Sequence, residues 1–212
     1  MQDLVIIGAG SFGEDMLDNI RIINEEEPRW NLLGFIDDTR TGEIEGVPIL
    51  GNLDAFLQMD KHIQYFVAVL DSKVRERIMN VCRKAGFTGA VILGKLVSAY
   101  EHVTVGESSY IGYRTYLMDG VTVGAGVVIE HGGVIHAEAT IGDYSTLRNF
   151  PVLGKSACVG KHNYLALRCT MDDNVTTPED CRFQSGTVML RSPEVAGEYA
   201  GIPGKLVRAF AD

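Results

Sequence analysis

The chain of 212 residues has no apolar run near the ~18 residues that cross a bilayer, no CxxC pair and no cluster of Lys and Arg. Each absence excludes something. Cys82, Cys158, Cys169 and Cys181 lack zinc-ribbon spacing and read as buried thiols, with a zinc site or a reactive thiol as the other reading. A net charge of −9 repels nucleic acid and anionic lipid, so neither nucleic acid nor membrane is expected as a partner. Met1 leads straight into Leu4-Val5-Ile6-Ile7-Gly8, which reads as a first strand and not as a signal peptide, so a cytoplasmic protein is expected. The length suits one large or two modest domains.

The first half alternates strand and helix. Leu4–Ile7, Leu32–Ile36 and Phe66–Leu70 are short apolar runs of strand length. Helical spacing covers Phe12–Glu25, with Phe12, Met16, Ile20 and Ile23 on one face. Further helices are expected near Asn52–Met59 and Ser72–Ala85. Such alternation predicts a parallel sheet. Between the first strand and first helix lies Gly8-Ala9-Gly10-Ser11-Phe12-Gly13, a G-x-G-x-x-G turn whose backbone N–H groups could meet a phosphate. Asp37 and Asp38 close the second strand, where a ribose hydroxyl could be read. Gly8, Gly10, Ser11, Phe12, Gly13, Asp37 and Asp38 are therefore candidate nucleotide or sugar contacts, the alternative being a tight turn without a ligand. Some 90 residues are too few for a complete two-lobed dinucleotide fold, which favours a mononucleotide or nucleotide-sugar.

The second half follows another period. From Val105 to Met189 every sixth residue is large and apolar, with Thr177 the one exception. Two residues earlier the side chain is mostly small, as at Ser109, Thr115, Gly133, Ala139 and Ser145. Glycine often follows the large residue, as at Gly106, Gly112, Gly124, Gly142, Gly154 and Gly160. No α-helical solenoid sustains a period of six. The pattern predicts a parallel β-helix over Val97–Leu190, three short strands per coil, one aliphatic per strand pointing inward, a small residue at the corner and glycine freeing the turn. The expected division is a Rossmann-like nucleotide/sugar-binding domain over 1–92 and a β-helix domain with a C-terminal exit loop over 93–212.

Gly8-Ala9-Gly10-Ser11-Phe12-Gly13, Gly34-Phe35-Ile36-Asp37-Asp38, Gly46-Val47-Pro48-Ile49-Leu50-Gly51, the hexapeptide array and Gly201-Ile202-Pro203-Gly204-Lys205 occur in one order along the chain. In these segments the sequence resembles the sialic-acid O-acyltransferase and nucleotide-amino-sugar N-acetyltransferase family. The resemblance implies a left-handed β-helix, a homotrimer, acetyl-CoA as co-substrate between neighbouring helices, and a nucleotide-sugar or sugar acceptor at the N-terminal domain. It places CoA near Ile202 and Lys205. It also implies a histidine as general base, oriented by an adjacent acidic residue.

Two placements of that base are open. In Val128-Ile129-Glu130-His131-Gly132 the base is His131 and Glu130 its partner. In Val134-Ile135-His136-Ala137-Glu138 an ungapped count back from Gly160 puts Ala137 at the base position, with His136 and Glu138 beside it; either His136 substitutes, or this form is impaired. His131 and His136 lie five residues apart on a path that turns corners, with no third ligand evident, so no metal is expected. His62 and His162 read as surface residues. Arg148, Lys155, Lys161 and Arg168 are corner cations that read as CoA-phosphate contacts or as solvated charge. The leading expectation is N-acetylation of a nucleotide-linked sugar for glycan synthesis. O-acetylation of sialic acid or a related sugar is the rival enzyme, and a non-catalytic β-helix protein the rival of another class.

Overall fold

In a computed structural model, residues 1–210 are described, and the chain divides into two compact units, Met1–Ile92 and Leu93–Asp212. The first unit is a Rossmann-like α/β layer. Its elements are β1 (Gln2–Ile7), α1 (Ser11–Glu26), β2 (Trp30–Ile36), β3 (Glu43–Ile44), β4 (Val47–Gly51), α2 (Leu53–Leu57), β5 (Gln64–Val67) and α3 (Ser72–Lys84). The sheet order is β3-β4-β2-β1-β5, parallel except for the β3–β4 hairpin at the edge. Leu4, Val5, Ile6, Phe35, Tyr65 and Phe66 fill the core, and α1 buries Phe12, Met16, Leu17, Ile20 and Ile23 at helical spacing. Asp71 caps α3 by accepting from the Lys73 and Val74 amides, while Arg83 and Lys84 complement the far end of its dipole. The apolar run read as Phe66–Leu70 begins and ends earlier as strand, because Val69 and Leu70 already belong to the turn that leads to the Asp71 cap.

The second unit is the expected parallel β-helix. Strands of two residues stack with an offset of 18 residues, as in Tyr116↔Val134, Thr122↔Thr140 and Val128↔Thr146. Most strands send one large apolar side chain inward, and Ile111, Leu117, Ile129, Ile135, Leu147, Leu153 and Leu165 are fully buried in one continuous core. Thr177, the break in the apolar series, is buried for a polar reason. Its Oγ1 accepts from Asn163 Nδ2 at 2.5 Å and from the Gly160 amide at 3.1 Å, while Asn163 Oδ1 accepts from the Cys181 amide at 2.6 Å. Cys82, Cys169 and Cys181 are buried free thiols, and burial pushes the Cys169 thiol up to about 11.

The glycines that follow the inward aliphatics do not free the turn, as the sequence pattern suggested. The left-handed corner is the residue two places later. From Ser108 to Gly186 every sixth residue has positive φ, and most of these, among them Arg114, Glu138, Tyr144 and His162, are not glycine. The glycines serve close approach between coils. A Cβ on Gly106 would lie 2.5 Å from the Ala125 nitrogen, one on Gly142 2.6 Å from that of Lys161, and one on Gly154 2.5 Å from that of Asp173.

The segment read as a long exit loop is partly sheet. Gly197–Ala200 continues the parallel stack with the register shortened to 16 residues, as in Phe183↔Tyr199, and Lys205–Ala209 returns antiparallel to it. Tyr199 stacks on Phe183 at 5.5 Å and closes the core. Gly201–Gly204 is therefore the turn of a hairpin.

Candidate functional site

In the first unit the glycine turn is held from both sides at Ala9. Its amide donates to Asp37 Oδ2 at 2.9 Å, and its carbonyl accepts from the Arg40 guanidinium, which also meets Glu14 at 3.0 Å. The other Asp37 oxygen accepts from the Thr39 amide at 2.9 Å, the Thr39 hydroxyl at 2.8 Å and the Arg40 amide at 3.0 Å. Burial opposes ionisation of Asp37, but these hydrogen bonds prevail and lower its carboxyl to about 2. Asp37, read as a ribose contact, is spent on shaping the loop. Asp38 caps the next helix by accepting from the Leu53 amide at 3.1 Å.

The glycines divide by role. Gly8 has φ +108, and a Cβ on Gly13 would lie 2.2 Å from the Gly8 carbonyl oxygen, so α1 packs directly on the loop. Gly10 is the α1 N-cap and has nothing within 4 Å of a Cβ. Its side faces open space, where the uncapped amides of Ser11, Phe12 and Gly13 begin the helix. A pocket of about 250 Å³ lies at the carboxyl ends of β1 and β2, lined by Gly8, Asp37, Asp38, Thr39, Leu53 and Val69 among others. That is where parallel α/β sheets receive ligands.

In the β-helix the two candidate bases lie at different corners of the triangular coil. His131 follows the strand Val128–Ile129; His136 follows Val134–Ile135. His131 Nδ1 accepts from the Tyr113 amide at 3.0 Å, so in the neutral ring the proton sits on Nε2. Glu130 does not touch it. That carboxylate, with a side chain only 13% exposed, pairs with Arg148 at 2.5 Å and accepts from the Asn149 amide at 3.1 Å; Asn149 Oδ1 in turn accepts from the His131 amide at 3.0 Å. Arg148 also donates to Tyr164 Oη at 3.2 Å, and its guanidinium is held more firmly protonated by Glu130.

At the other corner, Ala137 lies between His136 and Glu138. Glu138 accepts from Ser156 Oγ at 2.8 Å and lies 3.9 Å from Lys155 Nζ. The His136 ring makes no hydrogen bond within the described residues. One coil below, Asp119 stacks under Ala137, and its carbonyl accepts from the Glu138 amide at 2.9 Å. Asp119 Oδ1 meets His102 Nδ1 at 2.8 Å. Sequence reading passed over that pair because its members are 17 residues apart; reading the chain in columns of 18 brings them together.

The remaining cations are engaged within the chain. Lys161 meets Asp143 at 3.6 Å, and Arg168 lies over the Phe150 ring. Ile202 and Lys205 are exposed on the terminal hairpin. Among the described residues no three His, Cys, Asp or Glu side chains converge as a metal cage, and no helix is long and apolar enough to cross a membrane.

Residues 3–82 match the family described as the PglD N-terminal domain. The fold of the whole chain, an α/β unit followed by a parallel β-helix, is shared with several solved structures. It is similar to the acetyltransferase domain of PglB from Neisseria gonorrhoeae, with 17% identity, 98% of this chain and 100% of that one covered, and a TM-score of 0.89. It is also similar to PerB from Caulobacter crescentus, solved with CoA and GDP-perosamine, with 20% identity, 96% of each chain covered and a TM-score of 0.80. WeeI from Acinetobacter baumannii matches at 16% identity and a TM-score of 0.69, over 98% of this chain and 100% of that one. Comparison with curated protein sequences returns no match.

Proposed function

We propose that this protein transfers the acetyl group of acetyl-CoA to the amino group of a nucleotide-linked sugar, in the synthesis of a surface glycan. One observation carries the reading: a first unit that matches the PglD N-terminal domain, with an open glycine turn and pocket, stands in the same chain as a hexapeptide β-helix. PerB, of similar fold, holds both CoA and a nucleotide-sugar. The first unit would take the nucleotide-sugar, its phosphates at Gly10, Ser11, Phe12 and Gly13. Asp38, Thr39 and Leu53 would wall the sugar end.

Acyl-CoA would run along the β-helix toward Ile202 and Lys205, and transfer would occur at the corner holding His136, Ala137 and Glu138. His131 fits the base role poorly, because its Nδ1 is already an acceptor and Glu130 serves Arg148. The working form in this reading is a cytoplasmic homotrimer. A flat-sided β-helix leaves its faces for neighbours to cover, and a stable monomer at micromolar concentration in sedimentation would remove that part of the reading. A single observation favours a second reading, a non-catalytic binding protein: the position counted as the base is Ala137.

Calorimetric titration tests the binding half of the proposal. Nucleoside-diphosphate amino sugar and CoA should bind at separate sites, each still available when the other is filled. Mutual exclusion, or no binding of either, would refute it.

A further inference from the structure

Ala137 cannot accept a proton, yet an imidazole–carboxylate pair stands at the same corner, its carboxylate one coil below and its imidazole on the coil below that. The 18-residue coil puts Asp119 directly under Ala137, and His102, Gly120 and Glu138 in the next column. Neighbouring coils are separated by about 4.8 Å, the ordinary strand spacing. The backbones of Asp119 and Glu138 are joined by a 2.9 Å hydrogen bond. Gly120 brings no side chain between His102 and Glu138; a Cβ there would sit 3.7 Å from Glu138 Cγ. The corner therefore keeps a gap, with an imidazole below it and a carboxylate above it.

The two ring hydrogen bonds give His102 and His131 opposite tautomers. An ionised carboxylate only accepts, so His102 Nδ1 must donate to Asp119 Oδ1 across their 2.8 Å contact. In the neutral ring the lone pair is then on Nε2, which points away from Asp119. The side chains are 72% and 61% exposed, so a substrate can reach them. His131 presents the reverse, a protonated Nε2. Glu138, the nearest carboxylate in the column above, is already held by Ser156 and Lys155 and leaves the dyad to Asp119.

We propose that His102, oriented by Asp119, is the proton acceptor for acetyl transfer in this chain, on the coil below Asp119 and nearly two coils below the Ala137 position; this rests on the acetyltransferase reading above. The acceptor's neutral amine attacks the thioester carbonyl carbon. The C–S bond breaks, and CoA leaves as the thiolate. The proton lost by the nitrogen passes to His102 Nε2 and from there to the CoA sulfur. Asp119 stabilises the imidazolium formed in between and fixes its tautomer, as a positioning residue.

The test uses the full chain, with CoA release from acetyl-CoA measured against a panel of nucleoside-diphosphate amino sugars. His102→Ala should reduce turnover by ~10²–10⁴-fold, the usual worth of a general base, with CoA and nucleotide-sugar affinities unchanged. Added imidazole should recover part of the loss. Asp119→Asn should cost less and show no rescue. An exposed pair of this kind contributes little to stability, so both variants should fold as the wild type does. Full activity in His102→Ala would overturn the dyad and leave the acetyltransferase reading standing. So would a loss that follows weakened binding and ignores imidazole. A wild-type chain that releases no CoA with any amino sugar would overturn both.

Discussion

The Asp37 carboxylate and the Ala9 amide, 28 residues apart in sequence, meet at 2.9 Å and tie the end of β2 to the glycine turn after β1. The remaining bonds to Asp37 come from Thr39 and Arg40, so one side chain shapes two loops at the mouth of the pocket.

That bond has a pH signature. The Asp37 carboxyl is lowered from 3.8 to about 2 in the folded protein. A lowered folded value stabilises the fold above the unfolded value and loses that stability as pH falls through the folded one. The contribution should be complete above about pH 5 and fade between about pH 4 and 2, and it is on the order of 1–2 kcal/mol. Urea unfolding of Asp37→Asn should show lower stability at pH 7 and a shallower acid limb. Parallel pH profiles for the two proteins would contradict this role.

Gly10 and Gly13 should respond differently to a side chain. Gly13→Ala drives a Cβ to 2.2 Å from the Gly8 carbonyl and should destabilise the unit by about 3 kcal/mol or more. Gly10→Val enters open space at an ordinary negative φ and should change stability by about 1 kcal/mol or less. It should nevertheless abolish nucleotide-sugar binding and leave CoA binding intact. Unaltered affinity for the nucleotide-sugar would make the turn purely structural.

Glu130 and Arg148 form a largely enclosed ion pair at one corner, with side chains 13% and 32% exposed. Arg148→Ala leaves the carboxylate half-buried with only the Asn149 amide, and should cost about 2–3 kcal/mol. Glu130→Gln combined with Arg148→Ala should be less harmful than Arg148→Ala alone. Additive losses in denaturant midpoints would show that the two residues act independently.

The hexapeptide period made the β-helix legible, because one inward aliphatic per strand is a rule that each coil must obey. The first helix was legible from the spacing of Phe12, Met16, Ile20 and Ile23, and the structure adds the caps of the other two, Asn52 and Asp71. The β3–β4 hairpin was not legible as strand, since Pro48 and alternating exposure disguise an edge. The left-handed corners were hidden because residues such as Glu138 and Tyr144 adopt them in place of glycine, held by hydrogen bonds to the coil before. The use of Glu130 was hidden as well. Adjacency in sequence suggested a His131 partner, whereas stacking gave it Arg148, on the next coil. His102 went unread because its partner is one coil away rather than one residue away.

Ala137→His offers a separate check on the geometry of the transfer corner. In the His102→Ala background it places an imidazole one coil above Asp119 and beside Glu138, and steady-state acetyl transfer should recover by about 10²-fold. In the wild-type background the new ring competes with His102 for Asp119, so the gain should be much smaller. Equal gains in both backgrounds would separate the Ala137 position from the His102–Asp119 pair.

The most direct measurement is thiol release from acetyl-CoA by the wild-type protein, compared across nucleoside-diphosphate amino sugars, their hydroxyl analogues and free sialic acid. CoA release is expected with at least one nucleotide-linked amino sugar and with neither of the other classes, and the product should carry one new amide. Release with free sialic acid alone, or with no acceptor at all, would contradict an N-acetyltransferase of nucleotide-linked sugars.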